Sequence, residues 1–224
     1  MKGRLRALLW PPSAALKANR EIIRQRNEIG ASQLWISTEA RVWHSLPKYG
    51  DPTDVAEIAD EVVESEAKRR ETLEAKAASV IQGGGIATTI ITLGSGVADK
   101  SAIFSRAWIV VIVLLYLLCM IHLLTAIYFG VRARKVSAFA APAAEGFFAL
   151  VEDSPPSQVR LRRIVRKIAE AKWNEDTLRI KGNYLAAAED VLLRGLGLFA
   201  ISAVVVLGAP IWRLIFDSLS KWHC

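Results

Sequence analysis

The sequence predicts an all-α integral membrane protein with three transmembrane helices and long cytosolic helices continuous with the spans. Three observations predict it. Ala107–Phe129, AWIVVIVLLYLLCMIHLLTAIYF, runs for 23 residues without Asp, Glu, Lys or Arg. Two further uncharged stretches, Ala77–Ala98 and Gly195–Trp212, alternate with densely charged ones. The 29 Lys and Arg residues gather almost wholly in two of those charged blocks.

Ala107–Phe129 comes first because it is the plainest. At about 1.5 Å per residue a helix of this length reaches roughly 35 Å, enough for a hydrocarbon core about 30 Å thick. Trp108 stands near one end and Tyr128 and Phe129 near the other, where amphipathic rings favour the headgroup level. Arg106 precedes the stretch, and Arg132, Arg134 and Lys135 follow it.

Ala77–Ala98, AASVIQGGGIATTIITLGSGVA, is a less apolar span. Gln82, Gly85, Thr89, Thr92 and Gly96 recur at alternating steps of three and four, which puts them on one helix face. A polar, small-residue stripe is unsuited to lipid. It suits close helix packing, because small residues let backbones approach, or the wall of an aqueous path in an oligomer. Packing is favoured, and an oligomer could use both. The short connection ADKSAIFSR makes the first two spans a hairpin. His122 lies inside the second span and has no carboxylate near it in either, so a neutral ring bonded to a neighbouring helix is expected. Gly195–Trp212 has 18 residues, the lower limit for a span, and apolar neighbours extend it at both ends. A kink is expected near Pro210.

The charged blocks read as helices. After Pro11 and Pro12, Ser13 can cap a helix reaching Ile29, and Gly30 then punctuates. A second short helix is expected in ASQLWISTEARVWHSL, and a Pro- and Gly-rich loop follows it. From about Asp54 a helix runs without Gly or Pro into the first span, with Val55, Ile58 and Val62 on one stripe. Its acidic first half and basic second half suit the helix dipole. Beyond the second span, Phe139, Phe147, Phe148 and Leu150 suit a piece lying on the bilayer. From Gln158 a long helix carries a heptad-like seam through Leu161, Ile164, Ile168 and Leu178. That seam predicts pairing with another helix, with Asp54–Lys76 as the candidate partner.

These elements set the domain layout: 1–76 a cytosolic N-terminal helical region, 77–130 a transmembrane hairpin, 131–190 a second cytosolic helical region, 191–216 a third transmembrane helix, and 217–224 a short external tail. Residues 1–76 hold 13 Lys and Arg and 131–194 hold 12, whereas the hairpin tip 99–106 and the tail 213–224 hold 2 each. The rich blocks belong on the cytoplasmic side, N-terminus included, and three spans satisfy that placement where two or four would not.

The net charge of +7 raises the question of nucleic acid. No zinc spacing, base-reading motif or stacking platform accompanies it, and the basic residues flank spans, where they meet anionic lipid. His44, His122 and His223 fall in three different regions, so no metal site is expected. There is no Walker loop, G-x-S-x-G or H-E-x-x-H, and the glycine triplet Gly83–Gly85 precedes no Lys-Ser or Lys-Thr. An enzyme is not expected, nor a cofactor. Cys119 and Cys224 are too far apart in this layout to form a disulfide framework.

The layout of an uncharged hairpin behind RRETLEAKAAS, followed by a long helix bearing WNEDTLRIKGNYLAAAED, resembles the small SLATT-like membrane effectors of nucleotide-signalled bacterial antiviral defence. The resemblance covers about residues 60–190; the third span departs from the two-span pattern of that group, and no nucleotide-sensor domain is recognisable. It implies a homo-oligomer in the bacterial inner membrane that perturbs the bilayer when a cytosolic sensor or partner protein is triggered. The expected function is therefore an oligomer whose spans form or gate an ion-permeable path. The alternative is a non-conducting anchor whose cytosolic helices recruit a partner.

Overall fold

The computed structural model describes residues 11–29, 52–98, 106–136 and 156–221, with isolated helical positions 33, 36, 37, 40, 41, 43 and 44. Four helices account for it: α1 (Pro11–Ile29), α2 (Pro52–Ala98), α3 (Arg106–Lys135) and α4 (Pro156–Lys221). No strand occurs among the described residues. The expected loop after the second short helix, the hairpin tip, the interfacial piece around Phe139–Leu150 and the tail beyond Lys221 lie outside the described residues. So do the side chains at 92–98, which include Thr92 and Gly96, and at 209–221.

Prolines open three of the helices, at positions 11, 52 and 156. The sequence reading placed the starts two residues later, with the prolines outside. Proline is well suited to the first helical position, because its missing N–H is one the first turn leaves unpaired anyway and its φ is preset. α1 ends at Ile29, before Gly30. α2 runs unbroken for 47 residues from its charged half into its apolar half, and α4 does the same over 66 residues. The helix of α4 continues through Pro210 without interruption.

Within α3, Trp108–Lys135 is long and apolar enough to cross a membrane, with a mean hydropathy of 2.8. It is the one such segment among the described residues. Only 22% of its most apolar window is buried, which is the reverse of a core helix in a soluble fold. Val110, Val113, Leu114, Leu117 and Leu124 stand more than half exposed. Arg132, Arg134 and Lys135 fill the last turn, where cations complement the dipole.

The chain divides into two compact units. An apolar unit comprises Met1–Pro12, Ala77–Val131 and Leu185–Cys224; a charged unit comprises Ser13–Lys76 and Arg132–Tyr184.

Candidate functional site

In the apolar unit, α2 meets its neighbours through Ala77, Val80, Gly84, Ala87 and Ile91, all buried and spaced three, four, three, four. Two glycines make the α2–α3 approach close. A Cβ at Gly84 would stand 2.8 Å from Ile127 Cγ1, and one at Gly130 would stand 2.9 Å from Ile81 Cγ1. α3 answers with a buried row at Ile112, Cys119, Leu123, Ala126 and Gly130. Ala87, Ile91, Cys119 and Leu123 form one cluster, against which Leu192, Leu198 and Phe199 of α4 pack. α4 comes close at Gly195, where a Cβ would lie 3.0 Å from Leu123 Cδ2, and the Cys119 thiol donates to Gly195 O at 3.0 Å. Small residues thus bring three helices together, the packing expected when apolar surroundings supply no hydrophobic drive between helices.

The described part of the polar stripe, Gln82, Gly85 and Thr89, is not the packing face within the chain. Gln82 and Thr89 are exposed, and nothing lies within 4 Å of where a Cβ on Gly85 would stand. Gln82 and Thr89 are each two positions beyond a buried residue (80 to 82, 87 to 89), a turn of about 200° at 3.6 residues per turn. Gln82, Gly85 and Thr89 therefore look away from α3 and α4. Thr89 satisfies its own hydroxyl by donating to Gly85 O at 3.0 Å, and Thr88 donates to Gly84 O at 2.8 Å. Gln82 makes no hydrogen bond among the described residues. Ile86 and Ile90, both exposed, flank the stripe. His122 Nδ1 donates to Leu118 O of its own helix at 2.8 Å.

In the charged unit, the seam packs in part as its spacing implies. Ile164 is buried and Ile168 half-buried against Ala56 and Ala59 of α2, so the Asp54–Lys76 stretch is the partner at that end. Leu178 is buried farther along, beside Ile22 of α1, and Leu161 is half-buried. The expected α2 stripe faces the other way: Ile58 is 54% exposed, with Val62 and Val63 also exposed, while the side chain of Val55 lies outside the described residues. Alanines take the contact instead, because their small size lets the two helices close up.

Sequence reasoning missed a row of polar contacts through this unit. Asn19 is buried; its Nδ2 donates to Ile180 O at 3.4 Å, and its Oδ1 accepts from Asn183 Nδ2 at 2.8 Å. Arg26 donates to Thr177 Oγ1 at 3.3 Å and lies 3.8 Å over the Trp173 ring. Lys181 pairs with Glu74, and Lys167 with Asp60. Lys181 holds the Glu74 carboxyl below its usual range, with Arg70 adding to the effect, and Lys167 does the same for Asp60. Burial, with Glu175 nearby, pushes Glu66 up. The available signal was position: Thr177 and Lys181 sit beside Leu178 on the face that carries the seam.

Among the described residues no three His, Cys, Asp or Glu side chains come together as metal ligands. Comparison of the chain with protein-family models, with curated proteins and with solved structures finds no match.

Proposed function

We propose that the chain is a subunit of an oligomeric inner-membrane effector, without enzymatic activity, whose three spans form or gate an ion-permeable path. Its N-terminus is cytoplasmic in this reading. The observation that carries it is the outward stripe of Gln82, Gly85 and Thr89, which the protomer's own α3 and α4 leave uncovered. Gln82 lies six residues past Lys76, about 9 Å along the axis. An amide there without a hydrogen-bonding partner costs roughly 2–7 kcal/mol in an apolar medium. Water in a shared path, or a second copy of the chain, removes that cost. Exposed Ile86 and Ile90 suit the dry flanks of such a contact. The resemblance to defence effectors gives this permeability its setting, a response to infection.

A second reading rests on Ile58, Val62 and Val63, an uncovered apolar face in the charged unit. It makes the chain a non-conducting anchor that recruits a partner protein.

Reconstitution in liposomes separates the two. Oligomer mass and ion flux are measured for the native chain and for Thr89→Lys. Intact oligomers that conduct, with cation selectivity altered by the lysine, are the expected result. A monomeric chain, or intact oligomers that stay silent at every voltage applied, overturns the path and leaves the anchor.

A further inference from the structure

The charged unit contains a half-open cavity of about 460 Å³ where α1, α2 and α4 meet. Its size lies within the range of small-molecule sites. Its floor is apolar, formed by Ile22, Leu73 and Leu178. Its polar groups converge from three helices: Gln25 from α1, Arg69 from α2, and Arg179 and Asn183 from α4.

The side-chain donors of Arg69, Arg179, Gln25 and Asn183 suit an anion. Arg69 forms no ion pair within 4 Å among the described residues, and Arg179 reaches Asp176 only at 3.6 Å. Glu21 also lines the cavity, but Arg24 neutralises its carboxylate at 2.8 Å and Gln25 donates to it at 3.0 Å. Glu175 acts on both guanidinium groups and Glu66 on Arg69, but Lys172 takes the Glu175 carboxylate at 2.7 Å, so neither guanidinium has a carboxylate closer than 3.6 Å among the described residues.

Gly182 supplies a separate observation. It lies in the interior of α4, where glycine is costly because it loses the most backbone freedom on folding. No close approach requires it: nothing stands within 4 Å of the place its Cβ would occupy. That vacant volume belongs to the cavity, which Gly182 helps to line. A side chain here would fill the cavity and leave the helix contacts as they are.

We propose that this cavity is a binding site for a small phosphorylated molecule, its phosphate taken by Arg69 and Arg179 and its apolar body resting on Ile22, Leu73 and Leu178. Each guanidinium is a planar fork of donors that matches a pair of anionic oxygens. A carboxylate offers one such pair, whereas a phosphate can meet two forks from different helices. The apolar floor then discriminates an organic phosphate from the bare ion. The inference is independent of whether the spans conduct.

The test is calorimetric titration of the full-length protein in detergent with phenyl phosphate, inorganic phosphate and benzoate. Phenyl phosphate is expected to bind saturably, one per chain, and at least tenfold tighter than either of the others. Arg69→Gln and Arg179→Gln are each expected to weaken it tenfold or more, and Gly182→Leu to abolish it with helix content unchanged by circular dichroism. Should Gly182→Leu lose its helix content, the two exposed arginines carry the decision alone. No saturable binding to the native chain overturns the proposal. So does equal binding of phenyl phosphate and inorganic phosphate, and so does affinity unchanged in both arginine variants.

Discussion

Lys181 of α4 brings its ammonium 2.7 Å from Glu74 Oε1 of α2, with its own side chain only 2% exposed and that of Glu74 42% exposed. A buried cation is thus neutralised by a carboxylate at the rim of the charged unit. Arg70 donates to the same oxygen at 3.1 Å and helps hold the carboxylate in place. The pair ties two helices whose contact residues elsewhere include alanines.

Removing one partner is expected to cost more than removing the buried charge. Glu74→Gln takes from the buried Lys181 the carboxylate that lies 2.7 Å away, at about 2 kcal/mol, less than the roughly 3–5 of a fully buried pair because Glu74 is partly solvated. Lys181→Met removes the charge and keeps the volume, and stays within about 1 kcal/mol of the native chain. Denaturant unfolding of both variants checks the order, and equal losses would contradict it.

The pH dependence follows from the shifts. Glu74 and Asp60 titrate below their unfolded values, so their contribution is present above about pH 4 and is lost as pH falls through their folded values. Glu66 is raised by burial and by Glu175, so its contribution is present below its unfolded value and lost as pH rises through the folded one. Glu66→Gln is therefore expected to raise the melting temperature at pH 7 and to lose that advantage near pH 4. A melting temperature that is lower at both pH values would contradict the assignment.

Adjacent glycines in α2 are expected to behave differently. Gly84→Val forces Ile127 aside and overpacks the α2–α3 contact, costing about 1–3 kcal/mol. Gly85→Val meets nothing in the protomer and keeps its fold, yet it crowds any second copy seated on the stripe. Thermal melting and oligomer mass in detergent measure the two effects separately. Native oligomer yield in Gly85→Val would show that no copy packs there.

Two apolar residues in the charged unit make a similar contrast. Ile164→Asp buries an unpaired carboxylate against Ala56 and Ala59 and is expected to cost several kcal/mol. Ile58→Asp is solvated in the protomer and leaves its stability near native, while weakening any partner that docks on Ile58, Val62 and Val63. Comparable destabilisation of the two variants would mean that this face is covered within the chain.

Topology is tested by single cysteines at Ser101 and Ser157 in a chain lacking Cys119 and Cys224. Impermeant thiol reagent added from the periplasmic side is expected to label position 101 and spare position 157. The reverse pattern would overturn the proposed orientation.

By itself the sequence determined the helices and the faces they carry. α3 was legible because a long uncharged run has one economical backbone in lipid, the self-bonded helix. The Ile164, Ile168 and Leu178 face was legible because the heptad spacing keeps apolar groups on one side. Which face meets which neighbour was decided by tertiary structure. In α2 the stripe of Gln82, Gly85 and Thr89 and the row of Val80, Gly84 and Ala87 have the same spacing, so periodicity alone cannot choose between them. Packing chose the second, because glycine and alanine there let Ile127 and Leu123 approach the helix, a matter of shape that hydropathy does not register. The same reason turned Ile58 and Val62 outward and gave the α4 contact to Ala56 and Ala59. The burial of Lys181 was likewise a tertiary outcome, since only the fold brings Glu74, 107 positions away, to its ammonium.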